Sequence, residues 1–331
     1  MAKQNAHEHL RCTMSPPLAA PSLDAVNEAR ARLTGIALRT PLVPFPDAGD
    51  VHLKLENLQL IGSFKLRGAA NAMAIAGADT LANGVYTASA GNMAQGVAWC
   101  ARELGVRCQV VVPEHAPRAK IDAIERLGGE IIRVSFEQWW QTLVNKGAPG
   151  MAGFFVHPFA DTAVMAGNGT IALEIFDDLH DVDAIIVPYG GGGLSCGIAA
   201  AARAISPRTK VLAVEVETAA PLTASFAAGT PTPVTRTQTF IDGMGSGAVF
   251  DEMWPLAHSL LAGTMVVTVA QIAAAVKLLA ERARIVAEGA GAAALAAAMA
   301  GAFDGQRVVC IVSGGNIDVD KLATILRGEI P

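Results

Sequence analysis

Short runs of apolar, often β-branched residues alternate along this chain with longer stretches whose apolar positions recur every three or four residues. The short runs fall at residues 51–56, 84–89, 107–113, 130–134, 184–188, 210–216 and 307–312, and each is apolar nearly throughout. A strand with one wet face alternates apolar and polar positions, so uninterrupted runs predict parallel strands covered on both faces. The longer stretches, among them 93–104, 118–127, 162–179, 194–205 and 269–284, predict helices. The strand–helix rhythm predicts an α/β protein with helices on both sides of a mainly parallel sheet. No repeat of fixed period and no long low-complexity linker breaks it. Residues 1–21 mix polar residues with Pro16 and Pro17 and are expected to form a loose N-terminal leader.

Composition narrows the class. The chain has 331 residues, 52% of them hydrophobic and 17% charged, which excludes disorder and leaves room for two domains. A net charge of -5 with no basic stripe argues against a nucleic-acid partner and against an anionic membrane surface. The most apolar stretch, 283–303, is mostly Ala and Gly and carries Glu288, so it reads as a buried helix rather than a membrane span. Cys12, Cys100, Cys108, Cys196 and Cys310 are widely spaced, with no C-x-x-C, and the N-terminus lacks the apolar core of a signal peptide. Reduced thiols and a cytoplasmic location are expected.

Ligands of open α/β sheets bind beyond the carboxyl ends of the strands, so the loops there are the candidates for chemistry. Gly190, Gly191, Gly192 and Gly193 follow one predicted strand and precede a helix beginning at Leu194. Unobstructed N–H groups at a helix start make an anion site suited to a phosphate; a tight turn is the alternative. Neither a Walker motif nor a dinucleotide fingerprint is present, so a small phosphorylated cofactor fits better than a nucleotide. Lys65 lies between Phe64 and Leu66, where apolar surroundings favour the neutral amine, a nucleophile able to form a Schiff base. Taken alone it reads as an ordinary surface lysine. Ser89, Ala90, Gly91, Asn92 and Met93 form another strand-to-helix loop, either a carboxylate grip or a simple helix cap. Ser313 ends the last strand, followed by Gly314, Gly315 and Asn316. Glu288-Gly289-Ala290-Gly291 is a weaker signal and reads equally as a small-residue helix start. A phosphate cradle, a candidate Schiff-base lysine, an anion loop and a hydroxyl at a strand end together suggest pyridoxal 5'-phosphate.

These motifs, with Arg39-Thr40-Pro41-Leu42, Lys54-Leu55-Glu56-Asn57, Lys120, His157-Pro158-Phe159, Gly167-Asn168-Gly169-Thr170 and Asp242-Gly243, occur in an order that resembles the fold-type II pyridoxal-phosphate enzymes, in the serine/threonine dehydratase (threonine ammonia-lyase) group. The resemblance covers nearly the whole chain. It implies a tryptophan synthase β-like fold: two open, twisted, mostly parallel sheets flanked by helices. The large cofactor-binding domain would take residues 22–83 and 158–331, and a small mobile domain 84–157. It implies that Lys65 carries the cofactor as a Schiff base and removes the Cα proton. Gly190 to Gly193 and Leu194 would hold the phosphate, Asn92 the phenolic oxygen and Ser313 the pyridine nitrogen. Phe64 would line the site, and Ser89 to Met93 would grip the substrate carboxylate. The implied reaction is β-elimination from a β-hydroxy amino acid such as L-threonine or L-serine, giving a 2-oxo acid and ammonia. A homodimer is the default of the group.

Departures from the group refine this. Racemases tend to carry Ser where this chain has Ala90, so elimination is favoured over racemisation. Dehydratases usually carry His where Met93 stands. A softer wall there would admit a bulkier substrate such as phenylserine, with 3-hydroxyaspartate another candidate; core packing of Met93 is the alternative. The divalent-metal ligand set near Glu215 is expected to be absent, because Ala219, Ala220 and Pro221 follow it; a monovalent ion stays open. No appended regulatory domain is expected after Pro331. Trp139 and Trp140 are expected to pack rather than touch cofactor. Replacement chemistry of the cysteine-synthase kind fits the S-A-G-N and S-G-G-N loops less well, and a non-catalytic amino-acid-binding protein would require Lys65 to be structural.

Overall fold

The computed structural model describes residues 18–331 except Ala302. Most of the expected leader therefore lies outside the described residues. In chain order the strands are β1 (Leu42–Pro44), β2 (Val51–Lys54), β3 (Val85–Ala88), β4 (Cys108–Pro113), β5 (Gly129–Val134), β6 (Phe154–Phe155), β7 (Ala184–Pro188), β8 (Lys210–Val216), β9 (Gly263–Val267) and β10 (Val308–Ile311). The helices are α1 (Leu23–Leu33), α2 (Lys65–Leu81), α3 (Asn92–Leu104), α4 (Arg118–Glu125), α5 (Phe136–Val144), α6 (Thr162–Asp178), α7 (Gly193–Ile205), α8 (Pro221–Ala228), α9 (Trp254–Leu260), α10 (Val269–Leu278), α11 (Gly289–Ala300) and α12 (Val319–Leu326).

Two sheets result. A six-stranded sheet runs β1-β2-β10-β7-β8-β9, and a four-stranded sheet runs β5-β4-β3-β6. Pairing is parallel throughout except between β1 and β2. The uninterrupted apolar runs explain this burial. Along β7 and β10, Ile186 and Cys310 enter a core with α10 and α11, while the alternating Ile185, Val187, Val309 and Ile311 enter a second core with α1, α6 and α7. The four-stranded sheet is built from residues between Val85 and Phe155. It packs against α3 and α4 on one face and against Leu143 of α5 on the other. Helix α2 joins the core of that smaller sheet through Leu66, Ala69 and Met73, although the helix precedes β3.

All seven expected strands form. The additional β1, β6 and β9 are short or half-exposed and carry little periodic signal. The stretch 269–284 is not one regular helix: α10 ends at Leu278, a π-helical turn follows to Ala283, and Arg284 takes a left-handed conformation. The chain is thereby freed to cross toward the strand ends before the fully apolar α11 begins at Gly289.

Helices α2, α6 and α7 meet backbone to backbone. An added Cβ at Gly167 would stand 2.4 Å from the Arg67 carbonyl oxygen, one at Gly197 2.3 Å from that of Met165, and one at Gly169 2.9 Å from that of Gly197. A buried ion network ties the same region together. Arg67 binds Glu56 (2.8 Å) and Glu174 (2.6 Å), Lys54 binds Glu174 (2.5 Å), and Thr40 donates to Glu56 (2.6 Å). Two cations and two carboxylates compensate one another where an unpaired charge would be costly.

Candidate active site

The site lies where two loops are stitched together. The Phe64 amide donates to the Ser313 carbonyl, the Gly315 amide to that of Gly62, and the Asn316 side chain to that of Ile61. This places Lys65, first residue of α2, beside the end of β10. The Lys65 amine donates to the Pro158 carbonyl at 2.6 Å and sits 5.1 Å from the centre of the Phe64 ring. Burial lowers its pKa to about 8, opposed in part by Glu288. An ammonium deprived of water is disfavoured, so a useful fraction of neutral amine exists near neutral pH.

The four glycines lead from β7 into the start of α7. Gly192 caps α7 with φ +90°, a left-handed conformation that favours glycine, and no side chain competes for the first-turn N–H groups. At Gly191 a Cβ would stand 2.3 Å from the Phe159 ring. Gly193 is the first residue of α7 and Leu194 follows it, buried. Helix α3 offers a second set of free N–H groups: its cap is Gly91, which makes no side-chain cap bond. Ser89 instead accepts from the Gly91 amide at 3.2 Å. Ser89 is therefore not a side-chain cap for the first turn of α3.

Asn92 is held at both ends of its amide. It donates to Glu288 Oε1 at 2.7 Å and accepts from Asn316 at 2.8 Å. Burial pushes the Glu288 carboxyl up to about 7, against the pull of Asn92 and Lys120. A Cβ at 314 would stand 2.4 Å from Glu288 Oε1 and would push that carboxyl aside. Gly243, of the Asp242–Met244 loop, also faces Glu288, and Lys120 of α4 pairs with Asp242 at 3.2 Å. Ser313 is buried at the end of β10.

The structure joins Phe64 to Ser313 through their backbones and Asn92 to Glu288 and Asn316 through its side chain, with Lys65 next to Phe64 and the glycine turn at Gly190 to Gly193 opening α7. Met93 differs: its side chain is 1% exposed and packs in the core of the smaller sheet. Position 93 falls on the inward face of α3, so of the two readings core packing holds and the soft substrate wall does not; only its backbone N–H belongs to the helix start. Trp139 and Trp140 stack on one another, and Trp140 on Phe250, as packing residues. The Glu215 carboxylate accepts from the Leu222 and Thr223 amides and the Thr223 hydroxyl. Sequence reasoning undervalued Glu288, Pro158 and Asn316. Glu288 precedes a small-residue helix and looked like its start, and Pro158 acts through a carbonyl, which residue identity does not reveal.

A buried amine, a glycine-rich helix start and a polar cluster between two mainly parallel sheets are the features of an α/β enzyme. Comparison with known proteins makes this specific. Residues 33–314 match the family described as "Pyridoxal-phosphate dependent enzyme". The L-threonine ammonia-lyase of Thermotoga maritima is 37% identical over 92% of this chain and 78% of its own. The catabolic L-threonine dehydratase of Staphylococcus aureus is 37% identical over 92% of each chain. Among solved structures, maize serine racemase superposes with a TM-score of 0.84 at 32% identity, covering 94% of this chain and 98% of its own. The processed threonine deaminase isoform 2 of Solanum lycopersicum gives 0.82 at 31%, covering 95% and 92%.

The chain belongs to the pyridoxal-phosphate-dependent enzyme family, with the fold-type II architecture. Its cofactor is pyridoxal 5'-phosphate, and the residues present fit it: the start of α7 has no side-chain cap, so its first-turn N–H groups suit a phosphate, and the lysine amine is easily deprotonated. No helix among the described residues is long and apolar enough to cross a membrane.

Proposed function

We propose that this protein eliminates water from a β-hydroxy amino acid, L-threonine or L-serine, and releases the 2-oxo acid and ammonia. The observation that carries this reading is the buried Lys65 amine, lowered to about 8 and held on the Pro158 carbonyl beside the end of β10. The threonine-acting names of its relatives support the substrate class.

Lys65 anchors the cofactor, the Gly190–Gly193 loop and Leu194 bind its phosphate, Asn92 faces its phenolic oxygen, Ser313 its ring nitrogen, and Phe64 lines the site. When bound, the cofactor supplies an electron sink that acidifies the substrate Cα–H. Residues 89–93 orient the substrate carboxylate through backbone N–H groups. The Lys65 amine then takes the Cα proton, and the β-hydroxyl leaves as water after gaining a proton. Hydrolysis of the released enamine returns that water and yields ammonia. A hydroxyl beside the ring nitrogen, where an aspartate would keep that nitrogen protonated, favours prompt loss of the β-substituent. Ala90 supplies no proton to the opposite face of Cα, which favours elimination over racemisation.

The four-stranded sheet with α3, α4 and α5 acts as a small domain, residues 84–157, that closes over substrate and excludes water. We also place the protein in the cytoplasm as a homodimer. Buried, reduced Cys100, Cys108, Cys196 and Cys310 support the former, and exposed Leu58 and Leu60 beside the Lys65 loop support the latter.

The test is 2-oxo acid release from L-threonine, L-serine, threo-3-phenylserine and 3-hydroxyaspartate by the cofactor-loaded protein and by its Lys65→Ala variant. Release from threonine or serine, abolished in the variant, is expected. No release from any of the four, with cofactor attached at Lys65, would overturn the dehydratase reading.

A further inference from the structure

Pro158 and Phe159 serve opposite ends of the cofactor site. The Pro158 carbonyl receives the Lys65 amine, while the Phe159 ring covers Gly191 and its carbonyl oxygen would lie 2.7 Å from a Cβ at Gly193. What holds this segment in place is the residue before it. His157 is 2% exposed, and its Nδ1 accepts hydrogen bonds from the amides of Phe159 (3.2 Å) and Ala160 (2.7 Å). The Pro158 carbonyl and the Phe159 N–H are the two ends of one planar trans peptide and point in opposite directions. Fixing the N–H on the imidazole therefore aims the carbonyl the other way, at Lys65.

We infer that His157 is a positioning residue for Lys65: its Nδ1 locks the Pro158–Phe159 peptide so that the carbonyl holds the free lysine amine in place and the Phe159 ring stays seated against the glycine cradle. The inference rests on the reading of Lys65 as the cofactor lysine. The ring is suited to the task because both bonds need an unprotonated Nδ1, which puts its one proton on Nε2. Burial among Phe155, Phe159 and Phe250, with Lys146 and Lys65 nearby, keeps the imidazole neutral by pushing its pKa down to about 3. The acceptor therefore persists at every pH at which the enzyme would work. A histidine kept only for bulk would need no such pair of bonds.

Asparagine and leucine separate the two roles, because they are alike in shape but only asparagine can accept the amide protons. Full-length wild-type, His157→Asn and His157→Leu proteins, stripped of cofactor, are mixed with pyridoxal phosphate. Attachment is followed by visible absorption and, after borohydride reduction, by the mass of the Lys65 peptide. Losing the acceptor should slow attachment about tenfold in the leucine variant, with the asparagine variant within about threefold of wild type. In turnover, the leucine variant should lose kcat with little change in KM, since the substrate carboxylate rests on residues 89–93. Equal rates for the two variants, or an asparagine variant as slow as leucine, would overturn the inference. Should the leucine chain not fold, His157→Ser against His157→Ala repeats the comparison, and serine must be the faster. Wild-type protein that attaches cofactor elsewhere than Lys65 would instead overturn the underlying reading, and this inference with it.

Discussion

Glu288 and Asn92, 196 residues apart in sequence, share a 2.7 Å hydrogen bond that joins the start of α11 to the start of α3. The carboxyl is raised to about 7 by burial, above its ordinary 4.5, so the folded chain keeps a proton that the unfolded chain releases in that window. Its contribution is complete below pH 4.5 and is lost as pH rises toward 7. The cofactor-free protein should therefore lose stability across that interval. Glu288→Gln keeps an acceptor for Asn92 and should flatten the slope, gaining on the order of 1–3 kcal/mol at pH 8. Thermal unfolding at a series of pH values checks this; an unchanged slope would assign the titration elsewhere.

Lys65 titrates with the opposite consequence. Its pKa of about 8 lies below the ordinary 10.5, so between these values the folded chain holds fewer protons than the unfolded one and gains stability as pH rises. Attachment of pyridoxal phosphate needs the neutral amine, so its rate should climb with a midpoint near pH 8. Stopped-flow rates from pH 6 to 10 are the measurement, and a midpoint near 10.5 would contradict the burial argument.

Gly191→Ala puts a methyl group 2.3 Å from the Phe159 ring. The cradle must open or the ring must shift, and cofactor affinity should fall about tenfold or more. Adding Phe159→Leu should restore part of it. Equilibrium dialysis of pyridoxal phosphate compares the three proteins.

Met93→Ala empties a core position and should cost about 2–4 kcal/mol in chemical denaturation. The rank order of threonine, serine and phenylserine should not change. A shift in rank toward the bulky substrate would return this side chain to the substrate wall.

Arg67→Met leaves Glu56 and Glu174 without their shared buried cation. A loss of about 3–5 kcal/mol is expected, since an uncompensated buried charge costs more than the pair contributes. A variant that unfolds at the same urea concentration as wild type would show that the network relaxes around the missing charge.

Much of this molecule was legible in its sequence, for physical reasons that differ by element. Strands such as Ala184–Pro188 and Lys210–Val216 appear at their expected bounds because a strand buried on both faces must be apolar throughout. The glycines at 190–193 were readable because their cost needs a reason. Leu42–Pro44 and Phe154–Phe155 were not, being three and two residues long and defined by their partners rather than by any period. Glu288 was only half visible, because its importance lies in facing Asn92 and Gly314 across the fold. Met93 shows the converse: a position inside a recognisable loop motif can still point inward, and the motif does not say which way.

The glycine contacts among α2, α6 and α7 bear on how the site keeps its dimensions. Lys65 opens α2, the anion cradle opens α7, and α6 touches both through bare backbone at Gly167, Gly169 and Gly197. These three helices act as a caliper, with one jaw tipped by the amine and the other by the glycine loop, and the bare backbone contacts in its hinge leave little slack. On the proposed reading, in which the two jaws grip the two ends of the cofactor, its length is recorded in helix contacts that never meet it. A single methyl group added at Gly197 would reset the gauge from a place no ligand reaches.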